Sequence, residues 1–464
     1  MGKNIMKTDT ICALSTPYGI SGIGIIRISG PLTLKIVNEI FVPARKRKIG
    51  KLWKTHTVRY GFIINNGTTL DEVLVTIMKA PASYTREDMA EIGCHGGLAA
   101  IKEVLHACME KGARLAEPGE FTKRAFINGR IDLTQAESVI DIIGATTEKS
   151  LELSLSQLAG SLSKKINTLR NRLLELLTLL DYQIDFSEEH GQQLDNTNLI
   201  EDLAAIVFDI KQIIKTGQSA RIFTEGVRIV IAGKPNVGKS SLLNLLVAED
   251  KAIVSEIPGT TRDAIEAVIN IQGIPFTIID TAGLRKVSSG IEKMGIEKTK
   301  KWIEKSEIVL MLLDASSELD ALDYQILQGI KNKNHIIVFN KCDLPRKIAK
   351  DNLPDCCKQS ISVTISALTG KGLSELHSAI LEKVYSGSAQ IKNVDFFLNV
   401  RQQYSLEQCL KFLEESLDLL GKNITIDIIA EDIHQAIMRL DEISGRYVSE
   451  EILNKIFSRF CVGK

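Results

Sequence analysis

The sequence predicts a multidomain protein. An α+β domain leads, an all-α helical domain is built from two separated blocks, and an α/β domain is inserted between those blocks. Three observations carry this expectation. The chain has 464 residues, too many for one hydrophobic core. The apolar period changes three times along it, from strand-like to helical, to strands alternating with helices, and back to helical. From residue 226 onward, short β-branched runs alternate with helical stretches, the rhythm of a doubly wound parallel sheet.

The expected boundaries follow those changes. Residues 1–125 carry "ICALS", "IGIIRISG" and "EVLVTIMKA", apolar runs bounded by Gly, Pro and Ser, and then the helical "IKEVLHACMEKG". Residues 126–222 hold "TLRNRLLELLTLLDYQIDF" and "NLIEDLAAIVFDIKQIIKTG", with leucine and isoleucine at helical spacing and charges on the other face. Residues 223–385 run through "GVRIVIAG", "FTIIDTAG", "EIVLMLLDAS", "HIIVFNKCD" and "ISVTISA", each a strand ending in turn residues. Residues 386–464 return to helical periodicity in "RQQYSLEQCLKFLEESLDLL" and "IIAEDIHQAIMRLDEI". The two helical blocks read as one domain interrupted by the α/β module; two unrelated helical segments is the simpler alternative.

Composition narrows the function classes. Apolar residues make up 44% and charged residues 25%, an ordinary globular balance. Lys plus Arg (57) equals Asp plus Glu (57), so no global positive field draws the chain to nucleic acid or to a membrane. No apolar run reaches the ~18–20 residues that span a bilayer, and "MGKNIMKTDT" has neither a secretory core nor the Arg-rich character of a presequence. The eight cysteines are scattered, which points to reduced thiols. The expected compartment is a bacterial-type cytoplasm.

The chemistry is concentrated in the α/β module. "GKPNVGKS" (Gly233 to Ser240) matches G-x-x-x-x-G-K-[ST] between a strand and a helix. Asn236, Val237, Gly238, Lys239, Ser240 and Ser241 would wrap the phosphates, Lys239 would reach the β- and γ-phosphates, and the Ser240 hydroxyl would ligate Mg²⁺. Asp280, Thr281, Ala282 and Gly283 ("DTAG") end a strand and offer a carboxylate and a glycine amide. Asn340, Lys341 and Asp343 ("NKCD") end another, where Asp343 suits the guanine N1–H and amine. Ser366, Ala367 and Leu368 complete the base pocket. Together they specify a Ras-like P-loop GTPase domain.

Position 284 is leucine, where Ras-like enzymes orient water with glutamine. Two substitutes are in view. Asn236 stands where some GTPases hold a potassium ion. The loop Ser255, Glu256, Ile257, Pro258, Gly259, Thr260 and Thr261 could complete its shell through Ser255, Ile257 and Thr260, while Thr261 suits Mg²⁺. Glu292 is an acid in a glycine-containing loop; a solvated helix cap is its bland alternative. His95 in "CHGG" reads most simply as a packed histidine capping a turn. The chain closes on Cys461-Val462-Gly463-Lys464. A prenylation box needs an aliphatic residue before the last position, and Gly463 is not one. The preceding "EEILNKIFSRF" reads as an ordered helix able to dock this tail.

These strings resemble the MnmE (TrmE) family from end to end: "DTICALSTPYGISGIGIIRISG", "SYTREDMAEIGCHGG", "EPGEFTKRAFINGRIDLTQAE", "DYQIDFSEE", "GTTRD", "GIEKMGIEK" and the terminal CVGK. The resemblance implies a folate-binding N-terminal domain that dimerises, a helical domain and an inserted G domain. It implies a GTPase that, with the FAD- and NADH-dependent protein MnmG in a heterotetramer or larger assembly, installs an aminomethyl-type group on C5 of the wobble uridine of tRNA. The one-carbon unit would come from methylene-tetrahydrofolate, with 5-formyl-tetrahydrofolate as a related ligand. Potassium and Mg²⁺ would serve hydrolysis, and Glu292 would be the catalytic acid. Arg27, Glu87, Arg130 and Lys464 would contact folate, and Cys461 would face the one-carbon chemistry. Many members carry lysine at the position of Arg130, whose guanidinium has a different geometry. A GTPase that acts only as a timer in RNA or ribosome assembly is the alternative class.

Overall fold

A computed structural model describes residues 9–44, 53–190, 196–249, 265–280, 302–385, 394–421 and 426–464. They fall into two compact units. One holds 1–140, 158–192 and 424–464; the other holds 141–157 and 193–423. Among the described residues, no helix is long and apolar enough to cross a membrane.

The first unit is built on a seven-stranded sheet. Its strands are β1 (Thr10–Leu14), β2 (Ile23–Ser29), β3 (Phe41–Pro43), β4 (Thr57–Asn65), β5 (Thr68–Met78), β6 (Met89–His95) and β7 (Ala113–Leu115). Their order is β3-β4-β5-β6-β2-β1-β7, antiparallel throughout except that β1 and β7 run parallel. The β4–β5 hairpin turns on Asn66 and Gly67, both at positive φ, as an Asn-Gly pair allows.

Side-chain alternation gives the sheet two different faces. Ile26 and Ile28 of β2 join Cys12, Val75, Ile77 and Ile92 in one core, closed by the helices Thr33–Ile40 and Leu98–Glu110. The intervening Arg27 belongs to the other face, where Ile11, Ala13, Met89 and Ala116 pack around the fully buried Phe121. Phe121 comes from the helix Glu120–Ile127, on which the helix Glu450–Phe457 packs through Phe457 and Phe460. Ser449 caps that last helix by accepting from the Ile452 N–H at 3.4 Å. The helices Ser161–His190 and Ile426–Ser444 also pair in this unit, pinned where Arg170 meets both oxygens of Asp441.

The second unit contains a six-stranded sheet: β8 (Val227–Ala232), β9 (Ile265–Ile271), β10 (Ile274–Asp280), β11 (Ile308–Asp314), β12 (His335–Asn340) and β13 (Ser362–Thr364). The order β13-β12-β11-β8-β10-β9 is parallel except for β9, which returns antiparallel to β10. Six of the seven residues of β11 are buried, as a central strand covered on both faces requires. Ile229, Ile231, Leu310 and Leu312 line one core; Val230, Val309, Met311 and Leu313 line the other. The helices Asn196–Ala220 and Val400–Gly421 pair in this unit, with Lys211 and Glu414 2.7 Å apart.

The α/β and α+β classes are as expected. The β9–β10 hairpin is an addition; its signal was the Gln272-Gly273 step between two apolar runs, both residues at positive φ.

Candidate functional site

In the second unit the phosphate and base motifs meet at the carboxyl edge of the sheet, where the strand order reverses around β8. β8 leads into the loop 233–238, followed by the helix Lys239–Glu249. β12 ends on Asn340 and β10 on Asp280. Asn340 is 2% exposed and ties three motifs together. Its Nδ2 donates to the Val237 carbonyl at 2.8 Å, and its Oδ1 accepts from the Ala367 N–H at 2.9 Å. Gly238, at φ 98°, lies so close that a Cβ there would stand 2.3 Å from Asn340 Nδ2.

The Lys239 ammonium donates to the carbonyls of Gly233 (2.9 Å) and Lys234 (2.7 Å). It is thus held over the loop, in the place from which P-loop lysines reach phosphate oxygens. Asn236 adopts a positive φ of 62° in the same loop. On the base side, the buried Ser366 hydroxyl donates to Asp343 and orients that carboxylate. Lys341 pairs with Asp314 at 2.6 Å, and Leu368 is 84% exposed beside them. Burial raises the Asp314 carboxyl, but Lys341 and Ser316 outweigh it and hold the group below its ordinary value. Residues 255–261, Thr281, Ala282, Gly283 and Glu292, along with the side chain of Asp280, lie outside the described residues.

In the first unit the tail docks on the sheet. The Gly463 carbonyl accepts from Arg27 Nη1 at 3.0 Å and from the Ser15 hydroxyl at 3.1 Å. The Lys464 carbonyl accepts from the Phe121 N–H at 3.2 Å, and the Cys461 carbonyl from the Gly119 N–H at 3.4 Å. Gly463 is buried, Lys464 half-buried and Cys461 exposed. Arg27 also forks onto Glu91, its cross-strand neighbour on β6, at 2.8 and 3.0 Å.

Tyr84 brings two candidate residues together. The Arg27 guanidinium lies 5.7 Å from its ring centroid and that of Arg130 lies 4.6 Å away, both within cation–π reach. Glu87 is turned elsewhere. It accepts from Ser29 at 2.6 Å and Arg124 at 3.1 Å, and it lines a cavity of about 280 Å³ with Arg114, Glu120, Lys123 and Asn454. Arg130 lines a different hollow, with His56, Pro81 and Arg86. Tyr84, Arg124 and Ser29 escaped the sequence reading, because nothing in their local spacing marks them. His95 is a correction. It is not packed: its side chain is 68% exposed, and its Nδ1 bonds Asp71 at 2.7 Å, which raises the imidazole pKa.

The carboxylates around Arg114 and Arg124 form a chain. Arg114 meets Asp9 and Glu120, each at 2.6 Å, and Arg124 meets Asp9, Glu87 and Glu120 at 2.8 to 3.1 Å. Burial pushes the Glu120 carboxyl up, but Arg114, the Glu117 N–H and Arg124 outweigh it and hold the pKa near about 2. A depressed carboxylate contributes stability above its unfolded pKa and loses it as pH falls through the folded value. Thermal melts should therefore show this unit weakening from about pH 4.5 toward pH 2, and Glu120→Gln should flatten that part of the curve.

Fold and site together define a Ras-like P-loop GTPase module joined to an α+β domain that holds the C-terminal tail. The family model described as "GTP-binding protein TrmE N-terminus" matches residues 10–130, and "MnmE helical domain" matches 133–461. Three relatives are each described as tRNA modification GTPase MnmE. Those of Thermoanaerobacter pseudethanolicus (44% identical) and Acetivibrio thermocellus (43%) match over 99% of this chain and 100% of their own length. That of Alkaliphilus oremlandii is 42% identical over 98% of this chain and 99% of its own. The chain belongs to the MnmE (TrmE) family of tRNA modification GTPases.

Proposed function

We propose that the chain hydrolyses GTP to drive modification of tRNA. With MnmG it installs an aminomethyl-type group, such as carboxymethylaminomethyl, on C5 of the wobble uridine, using a one-carbon unit from methylene-tetrahydrofolate. The observation that carries this reading is the coexistence, in one chain of this family, of a nucleotide cleft organised by Asn340 and a C-terminal tail pinned on Arg27. The working form is a cytoplasmic homodimer bound to MnmG, with FAD and NADH supplied by that partner. The domain division is 1–125, 126–222, 223–385 and 386–464.

In the nucleotide cleft, the Lys239 ammonium exchanges two loop carbonyls for phosphate oxygens when GTP binds. Asp343, oriented by Ser366, accepts from guanine. Ser240 and Thr261 would hold Mg²⁺, and Asn236, Ser255, Ile257 and Thr260 would hold K⁺. Asn236 offers a side-chain carbonyl oxygen, the kind of hard donor that K⁺ takes, on the loop that faces the phosphates. When bound, these ions would neutralise charge on the phosphates. Leu284 cannot orient water, so Glu292 carries that role.

In the first unit, Arg27 and Arg130 share the Tyr84 ring, which holds two guanidinium groups near each other, an arrangement that suits the glutamate carboxylates of a folate. Glu87 takes a folate donor by giving up part of its bonding to Arg124. Lys464 and Cys461 stand at the same edge through the docked tail.

Two measurements test the reading. Hydrolysis should run much faster in potassium than in sodium, and equal rates in the two salts would remove the potassium site. Mass spectrometry of tRNA nucleosides from cells lacking the gene should show the C5 wobble substituent missing; an unchanged nucleoside profile would overturn the function.

A further inference from the structure

Lys234, the second residue of the P-loop, makes a contact that phosphate binding does not explain. Its ammonium lies 2.7 Å from Asp323 Oδ2 and 2.9 Å from Asp320 Oδ2. Both aspartates sit at the start of the helix Ala321–Ile330, where they form a capping box. Asp320 Oδ1 accepts from the N–H groups of Leu322 and Asp323, and Asp323 Oδ2 accepts from the Asp320 N–H. The side chain of Asp323 is 2% exposed and that of Lys234 is 16% exposed. Asp323 Oδ1 is buried, with no hydrogen-bond partner among the described residues. A carboxylate in that position is costly without a cation, and Lys234 supplies it.

The same residue reaches Lys239 through its backbone. The Lys239 ammonium rests on the carbonyls of Gly233 and Lys234, so the position of residue 234 sets where that ammonium waits. The side chain of residue 234 is anchored to a helix start while its carbonyl holds the phosphate-binding lysine. We infer that Lys234 is a positioning residue for nucleotide binding: it clamps the P-loop to the helix Ala321–Ile330 through Asp323 and thereby sets Lys239, without touching the nucleotide itself. This rests on the nucleotide-site reading above.

The test uses the full-length chain and compares Lys234→Met, Lys234→Arg, Asp323→Asn and the double variant Lys234→Met/Asp323→Asn. The readouts are equilibrium binding of fluorescent GDP and steady-state GTP hydrolysis, with melting temperature as a check on folding. Lys234→Met and Asp323→Asn should each weaken GDP binding about tenfold, and the double variant no more than the worse single, because both break one coupled contact. Lys234→Arg should recover most of the loss. KM for GTP should rise more than kcat falls, as expected when binding rather than the transition state is disturbed.

Additive losses in the double variant would mean that Lys234 meets the nucleotide directly, and would overturn the clamp. Wild-type binding by Lys234→Met would overturn it as well. If Lys234→Met fails to fold, the near-isosteric Asp323→Asn decides alone, and an unchanged affinity there rejects the clamp. Failure of the wild-type chain to bind GDP would instead reject the nucleotide-site reading.

Discussion

Gly463→Ala should abolish wobble-uridine modification and leave GTP hydrolysis near the wild-type rate. Gly463 has φ 91°, a conformation that costs an L-residue roughly 1–2 kcal/mol. A Cβ there would stand 2.3 Å from the Leu14 carbonyl oxygen and 2.9 Å from the Ser15 Cα. Both obstacles are backbone of the β1 end, so they cannot swing aside as a flexible side chain would. The tail is held by hydrogen bonds to Arg27, Ser15, Phe121 and Gly119. Together these four bonds contribute about 2–6 kcal/mol, enough for the φ strain alone, but their geometry is lost once the Cβ clash forces residue 463 away from the backbone of Leu14 and Ser15. Lifting residue 463 also withdraws its carbonyl from Arg27 and Ser15 and loosens the neighbouring bonds of Cys461 to Gly119 and of Lys464 to Phe121. On the reading proposed above, in which the tail faces the one-carbon chemistry, a displacement of about 1 Å in a reacting group costs on the order of a hundredfold, so modification should fall at least that far. Nucleoside mass spectrometry after complementation of a deletion strain reads the outcome, with GTPase rate as the control. Full modification by Gly463→Ala would show that the docked tail is dispensable.

Asn340→Ala should weaken guanine-nucleotide binding at least about thirtyfold. The side chain is buried and is the joint between the P-loop, the strand β12 and the base loop. Its removal leaves the Val237 carbonyl and the Ala367 N–H without their partner in a buried place. Each unmet group costs about 1–3 kcal/mol, and each 1.4 kcal/mol is tenfold in affinity. The loss falls on binding because the loops can relax only by leaving the arrangement that receives the nucleotide. Equilibrium titration with fluorescent GDP measures it. Affinity within a few-fold of wild type would mean that the two loops hold their positions independently.

How far each site could be read from the chain differs for a physical reason. The nucleotide cleft was largely legible. Gly233 to Ser240 is one continuous loop, and "NKCD" and "SAL" end strands whose apolar runs announce them, so short-range spacing carries the chemistry. Even there the reading stopped at the ligand. The ion pair from Lys234 to Asp323 spans 89 positions, although the D-x-x-D spacing of Asp320 and Asp323 is a legible helix start. The first unit was legible in class but not in arrangement. The period-2 pattern of β2 sets Arg27 on the face opposite Ile26 and Ile28, but only the family resemblance made it a candidate. Nothing in the pattern could say that Tyr84 would lie between Arg27 and Arg130, or that Glu87 would be drawn to Arg124 and Ser29.

The sequence by itself determined the P-loop with its companion motifs and the strand and helix periods. Those depend on residues near one another along the chain, where backbone period and turn chemistry act directly. Only the tertiary structure decided that the tail rests on Arg27, 436 positions away, and that Asn340 joins the P-loop to the base loop, 103 positions from Val237. Such contacts arise when the sheet brings distant strands side by side. They leave no local period, because their partners are set by burial and hydrogen bonding in the folded chain.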